Sequence, residues 1–304
     1  MTIRLFNPFP ELAKVSIDGI SESGQTGLVD LQNLDVDGRT WHDVNLNEVL
    51  PLLDDLSLTV TSSEGFVIPT VVVGGTTDEA SWPGVAPGTI WEFPVATSSG
   101  AYAPSLMLSN TGSTAVTAVI DVYTAAGATV DAREVEVSPG IPRRVDLSDL
   151  ADGALGIRVR ASGPVAAAVV AEESTAVLEP TDEEGQADDP GSERGDRIAG
   201  TIGVAAPAGE WLAPGLQAVP DAESTLWLLN TGSEVATVTL QPLGVRDLAA
   251  TKQSVPPGSQ LGVPLSYDVA VGGYLIESSA PVSVAWSAET AAGLMFVTGT
   301  VVGG

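Results

Sequence analysis

Cysteine is absent from the 304 residues, which excludes disulfides, thiolate metal sites and cysteine nucleophiles in one step. It does not fix a compartment, because domains of about 100 residues can bury a sufficient core without cross-links. Histidine occurs once, at His42, so a histidine-based zinc site is excluded as well. A Ser-His-Asp triad would have to use that residue, and no Gly-x-Ser-x-Gly elbow is present to supply its serine. Between Trp41 and Asp43, His42 reads instead as a strand or loop residue. Lysine is reduced to Lys14 and Lys252. Uninterrupted apolar runs fall far short of the roughly 20 residues that a membrane helix requires, so no insertion into a bilayer is expected of these residues.

Charge is lopsided, with 39 acidic against 12 basic residues and a net charge of −27. Such a surface repels phosphate backbones and anionic headgroups, which argues against nucleic acid and against direct membrane docking. It accounts for solubility and suits a salt-rich habitat; the sharper alternatives are a cation-binding surface or attraction to a basic partner. With 33 glycines and 21 prolines spread along the chain, long helices are not expected. One helical turn is predicted from Leu46 to Asp54 and another from Ser148 to Ala151, where Asn or Ser can cap.

What the chain does contain is repetition. Leu106-Met107-Leu108-Ser109-Asn110-Thr111-Gly112-Ser113 is followed by a Val-rich stretch from Val116 to Tyr123, then Pro139-Gly140, Val145-Asp146-Leu147 and Gly163-Pro164-Val165. The same landmarks return as Leu226-Trp227-Leu228-Leu229-Asn230-Thr231-Gly232-Ser233, Val235 to Leu240, Pro257-Gly258, Val263-Pro264-Leu265 and Ala280-Pro281-Val282. A worn copy opens the chain: Leu5-Phe6-Asn7-Pro8, Val44-Asn45-Leu46 and Phe66 to Val73, with Asp37-Gly38 in place of the Pro-Gly turn. Order and register persist, which marks an internal duplication.

Short Val-rich segments with period-two alternation, separated by Asn-Thr-Gly, Pro-Gly and Ser-Gly-Pro turns, predict strands almost throughout. The expected fold is all-β: three tandem immunoglobulin-like β-sandwich repeats. Their boundaries fall at 1–85, 86–178 and 198–304. Between the second and third, Glu179 to Arg197 holds no aliphatic residue larger than alanine and is expected to be an acidic flexible loop. Gly88-Thr89-Ile90 and Gly200-Thr201-Ile202 precede the second and third copies, whereas Gly299-Thr300-Val301 has no copy after it and the first copy lacks such a strand. The C-terminal strand is therefore expected to complete the first repeat.

Candidate binding residues are few. Among six tryptophans, Trp227 and Trp286 lie inside strand patterns and read as core. Trp82 and Trp211 lie in connections between copies, where they could seal a junction or offer a face to a sugar ring. Asn33, Asp35 and Asp37, followed by Gly38, match the opening of an oxygen-ligand calcium loop, although Val44 stands at the position that should carry glutamate. That string is equally a plain Asp-Gly turn, and no other cofactor is indicated. Paired carboxylates for glycoside hydrolysis depend on spatial separation, which the sequence does not display.

These landmarks, in a Val-, Ala-, Gly- and Asp-rich chain poor in lysine, resemble the extracytoplasmic part of the actinobacterial family catalogued as domain of unknown function 5719. The resemblance spans essentially the whole chain and supplies no catalytic residues. It implies a non-enzymatic role in the cell envelope, with an envelope or membrane protein as partner and cell-wall glycan as the alternative. It also implies an ectodomain whose membrane anchor lies outside these residues, in keeping with a chain that opens inside a repeat landmark.

Overall fold

The computed structural model describes residues 1–304 apart from 22–23, 27–28, 50–54, 75–78, 98–101, 151–152, 174–196, 215–221, 246–247, 266–270, 291–292 and 303–304. The chain is all-β, as expected. Its first part carries β1 (Thr2–Phe6), β2 (Ala13–Ser21), β3 (Gly24–Thr26), β4 (Leu34–Val36), β5 (Trp41–Asn45), β6 (Leu56–Glu64), β7 (Ile68–Gly74) and β8 (Glu79–Pro83). Next come β9 (Gly88–Thr97), β10 (Tyr102–Ser109), β11 (Val116–Thr124), β12 (Gly127–Val137), β13 (Arg143–Asp146), β14 (Leu155–Glu173) and β15 (Ile198–Ile202). The last part holds β16 (Ala208–Pro214), β17 (Glu223–Asn230), β18 (Ala236–Leu243), β19 (Thr251–Val255), β20 (Ser259–Leu265), β21 (Gly273–Thr290), β22 (Gly293–Thr298) and β23 (Thr300–Val301).

The helical turn at Leu46–Val49 forms, with the Asn45 side chain accepting from the Asn47 amide at 3.2 Å; residues 50–54 of that expectation lie outside the described residues. Ser148 to Leu150 is a turn in which Asp146 accepts from the Ser148 amide at 2.9 Å. The expectation for Glu179 to Arg197 also lies outside the described residues, except for Arg197, which pairs with Glu173.

Pairing within the sheets is antiparallel and follows the landmarks. Leu5, Leu108 and Leu228 are each two residues before the landmark asparagine, and they stand opposite Pro69, Ala167 and Val284 respectively. Ile3, Leu106 and Leu226 stand opposite Val44, Val145 and Val263. In the middle part the long strand β14 serves two sheets: its first half lies between β11 and β9, and its second half between β10 and β15. β21 does the same between β18 and β16 and then between β17 and β22. In the first part the corresponding chain is broken at Gly65, where φ is 71°, into β6, which pairs with β2, and β7, which pairs with β1 and β8. Alternation turns one face of each strand inward. Ile3, Leu5, Val15 and Ile17 share one core, Leu106, Ile120 and Val159 a second, and Leu226, Leu240 and Ile276 a third.

The landmark asparagine explains why its motif recurs. Asn110 is buried, its amide donates to Thr114 O at 2.8 Å and Val137 O at 3.0 Å, and its side-chain oxygen accepts from the Gly112 amide at 2.9 Å. Asn230 makes the same three bonds with Glu234, Val255 and Gly232. Asn7 makes them with Glu11, Val36 and Phe9. Each asparagine satisfies a turn and the end of a neighbouring strand with one side chain. Asn110→Ala is expected to cost about 3 kcal/mol, since three bonds of about 1 kcal/mol each are lost and buried carbonyls are left bare; urea unfolding measures it.

Two expectations are corrected. The C-terminal strand does not complete the first part. Thr300 and Val301 pair with Leu212 and Trp211 of β16, because β1 already has β5 and β7 on its two edges while β16 has one edge free beside β21. Nor do the Gly-Thr-Ile landmarks play one role: Gly88–Ile90 lies in β9 against the first half of β14, whereas Gly200–Ile202 lies in β15 against its second half. The equivalent of β9 is β16.

Candidate functional site

A cleft of about 920 Å³ separates the first part of the chain from the middle part. One wall is β6 and the segment after it, with Leu56, Leu58, Val60, Phe66 and Val67. The other wall comes from β10, the turn after it and β14, through Met107, Thr111, Ala166 and Ala168. Leu56, Leu58 and Val60 are only half-buried, although they face the first core. Their counterparts Leu155, Ile157 and Val159 are fully buried, because β9 lays Trp91 and Phe93 over them. The apolar character of the cleft is thus an incompletely covered core.

Two polar contacts bridge the walls: Ser57 on β6 is hydrogen-bonded to Ser109 on β10, and a charged cluster joins Asp55, Arg144 and Glu172. Arg144 on β13 pairs with Asp55 at 3.0 Å and with Glu172 on β14 at 3.5 Å. Burial works against the charge on Arg144, but the two carboxylates outweigh it and raise its pKa. Both acids of the cleft are therefore engaged by one guanidinium.

The tryptophans separate sharply. Trp82 on β8 lines the cleft and is half-buried, with its ring against the backbone of Gly200 on β15. A Cβ at residue 200 would lie 2.4 Å from that ring, so glycine there is what lets the indole seal the junction. Trp211 is not in a connection. It is in β16, 1% exposed, with its indole N–H donating to Val282 O at 2.9 Å. Trp91 in β9 makes the matching bond to Val165 O at 2.8 Å. Trp82 and Trp211 both border a recess of about 380 Å³, but Trp211 offers no open face to a sugar. Trp227 and Trp286 are core, as read from their strand patterns. Trp41, by contrast, is 58% exposed and stacks on Phe6 with centroids 4.3 Å apart.

Asn33, Asp35 and Asp37 flank and occupy β4, all three exposed. Asp35 is paired with Lys14 at 3.3 Å, and the Asp37 carbonyl accepts from the Thr40 hydroxyl at 2.8 Å. Among the described residues no group of three or more Asp, Glu or His side chains converges. His42 stands in β5 opposite Leu5.

The junction between the middle and last parts is closed, by an apolar cluster in which Val95, Tyr102 and Ala199 meet Trp227, Leu294 and Phe296, and beside it by a buried polar node. Glu92 on β9 is fully buried; its carboxylate accepts from Thr231 at 2.7 Å and Ser283 at 2.5 Å, with Arg158 3.5 Å away. Gln260 adds a bond to Pro94 O at 2.7 Å. Sequence reasoning missed this node. Its signal was Trp91-Glu92-Phe93-Pro94 against Trp211-Leu212-Ala213-Pro214, a shared Trp-x-x-Pro that identifies β9 and β16 as one element.

One strand further out, Asp121 on β11 receives two bonds of 2.8 Å from Arg160 and one of 2.8 Å from the Asp131 amide. Burial opposes its ionisation, but these donors prevail and hold its pKa below the ordinary 3.8. A depressed folded pKa gives stability that is present above the unfolded value and disappears as pH falls through the folded one. Acid unfolding should therefore steepen below about pH 3.9, and Asp121→Asn should flatten that limb while lowering stability at neutral pH. Denaturation midpoints followed between pH 2 and 7 check the sign.

Compared with known proteins, residues 80–294 match the family described as a family of unknown function, DUF5719. No curated protein matches. A solved structure, "Crystal Structure of Thermotoga maritima 1070", is similar over 39% of this chain and 94% of its own, at 20% identity and a TM-score of 0.29. Among the described residues no helix is long and apolar enough to cross a membrane.

Proposed function

We propose, for a chain that belongs to the family of unknown function DUF5719, that it is a non-enzymatic protein-interaction module or scaffold of the cell envelope. In this reading three immunoglobulin-like sandwiches form the ectodomain of an anchored extracytoplasmic protein, and an envelope or membrane protein is the partner. The observation that carries the reading is the cleft beside β6, where half-buried core aliphatics line about 920 Å³ of open space. An apolar surface of this extent is a feature of recognition sites. The acidic surface supports a partner with basic flanks.

The test places a photo-crosslinking residue at Leu58, inside the cleft, and at Met295, an exposed site in the last part. Envelope fractions are then irradiated with either chain. A protein captured from position 58 and not from position 295 supports the reading. Absence of capture at 58, together with retention of the chain on isolated cell-wall glycan, overturns it.

That glycan alternative has its own observation in Trp41, whose exposed face lies in the first part with the Arg4 guanidinium 5.8 Å from its centroid. Trp41→Ala should abolish any glycan retention and change stability little.

A further inference from the structure

Among the described residues, the long central strands β14 and β21 are covered on both edges and β6 is not. The first half of β14 lies between β11 and β9, and the first half of β21 between β18 and β16. β6 matches them residue for residue: Ile17, Ile120 and Leu240 stand opposite Val60, Val159 and Ile276. On its other edge β6 has no partner strand among the described residues. The place that β9 and β16 fill is open there, and the cleft occupies it.

The walls agree with this identification. Glu92, on the outer face of β9, touches Thr231 and Ser283 of the last part. The residues corresponding to that pair one unit earlier are Thr111 and Ala166, and both line the cleft. The indoles of Trp91 and Trp211 donate to Val165 O and Val282 O, each the residue after the landmark proline. Val67, which follows Phe66 at the same landmark, also lines the cleft.

We propose that the cleft is a strand-acceptor site: it binds an extended segment of another polypeptide, which pairs with the free edge of β6 and places an indole in the cleft beside Val67. This rests on the interaction-module reading and specifies the partner's chemistry. Backbone bonds to a sheet edge supply affinity, and alternate side chains supply selection. The segment carries an aromatic residue opposite Val60 and an apolar residue two positions later, as Trp91 and Phe93 do in β9. The residue between them is uncharged, because Thr59 and Ala166 stand where Arg158 and Ser283 flank Glu92, and Thr111 alone keeps the hydroxyl of Thr231. The net charge of −27 selects basic flanks.

The probe is a fluorescein-labelled peptide copying residues 88–97, with Glu92→Thr and a lysine added at each end, titrated by anisotropy into the 304-residue chain. Saturable binding is expected, with backbone amides of residues 56–60 slowed in hydrogen exchange. Replacing the peptide's tryptophan by alanine should weaken binding on the order of 30-fold, the scale of an interface hot spot. Thr111→Arg, an exposed change on the opposite wall that leaves the thermal midpoint unchanged, should abolish it. Binding indifferent to the indole, or binding without protection of residues 56–60, overturns the proposal. So does a failure to bind while position 58 still cross-links an envelope protein, which leaves the interaction reading standing with a different kind of ligand. Cross-linking of position 58 to a second copy of the chain overturns it as well.

Discussion

Trp211→Ala is expected to destabilise the last part of the chain by about 3–5 kcal/mol, the usual range for a buried tryptophan replaced by alanine. The indole is 1% exposed in the core built by Leu226, Leu240, Ile276 and Val284. Its removal also leaves Val282 O without the donor at 2.9 Å. The loss should spread to the C-terminus, because Val301 pairs with Trp211 and Gly299 packs against its ring. Urea unfolding should show the lowered midpoint, and hydrogen exchange should show early opening of residues 293–301. Trp41→Ala, at an exposed ring, serves as the control and should change stability by less than about 1 kcal/mol. A Trp211→Ala loss that small would contradict the burial of the indole. It follows that glycan retention lost on changing Trp211 would report unfolding rather than a sugar-binding face.

The second large effect is Glu92→Ala, for which about 3–5 kcal/mol is expected, as when one partner of a buried ion pair is deleted. Arg158 would keep its charge beside an empty space, and the hydroxyls of Thr231 and Ser283 would lose their shared acceptor. Because these groups belong to different parts of the chain, the cost should appear as lost coupling. Where the parent unfolds its middle and last parts in one transition, the variant should show two, with the last part opening first. Glu92→Gln retains one side-chain oxygen and should lose clearly less. Equal losses for both substitutions would show that shape rather than charge holds this junction. Differential scanning calorimetry with near-ultraviolet circular dichroism separates the transitions.

The landmarks read from the sequence coincide with the tertiary register. Asn7, Asn110 and Asn230 align by their flanking residues, and each is the same buried three-bond node. The alignment of Phe66 with Pro164 reappears as Leu5 opposite Pro69 and Leu108 opposite Ala167. Such positions are legible because a buried amide with three obligatory partners tolerates almost no other residue, and because alternation ties every strand to one face. The worn first copy was legible for the same reason.

The roles of the connecting strands were not legible. Gly-Thr-Ile recurs before two copies, yet small β-rich tripeptides fit either half of a long strand, and pairing alone chose between them. Trp211 reads as part of a connection because prolines and glycines surround it, whereas the Trp-x-x-Pro it shares with Trp91 marks a strand. The cleft is a further step removed: no run of residues announces it, since it arises where no strand among the described residues covers one edge of β6.

By itself, then, the sequence determined the all-β class, the repeated register and the buried asparagine nodes, since alternation and local hydrogen-bond demand are encoded within a few residues of each position. Only the tertiary structure decided which edges are covered, which tryptophans face inward and where the core stays open. Those outcomes depend on strands brought together from more than a hundred residues apart, such as Glu92 with Ser283 and Trp82 with Gly200, and no local pattern carries that information.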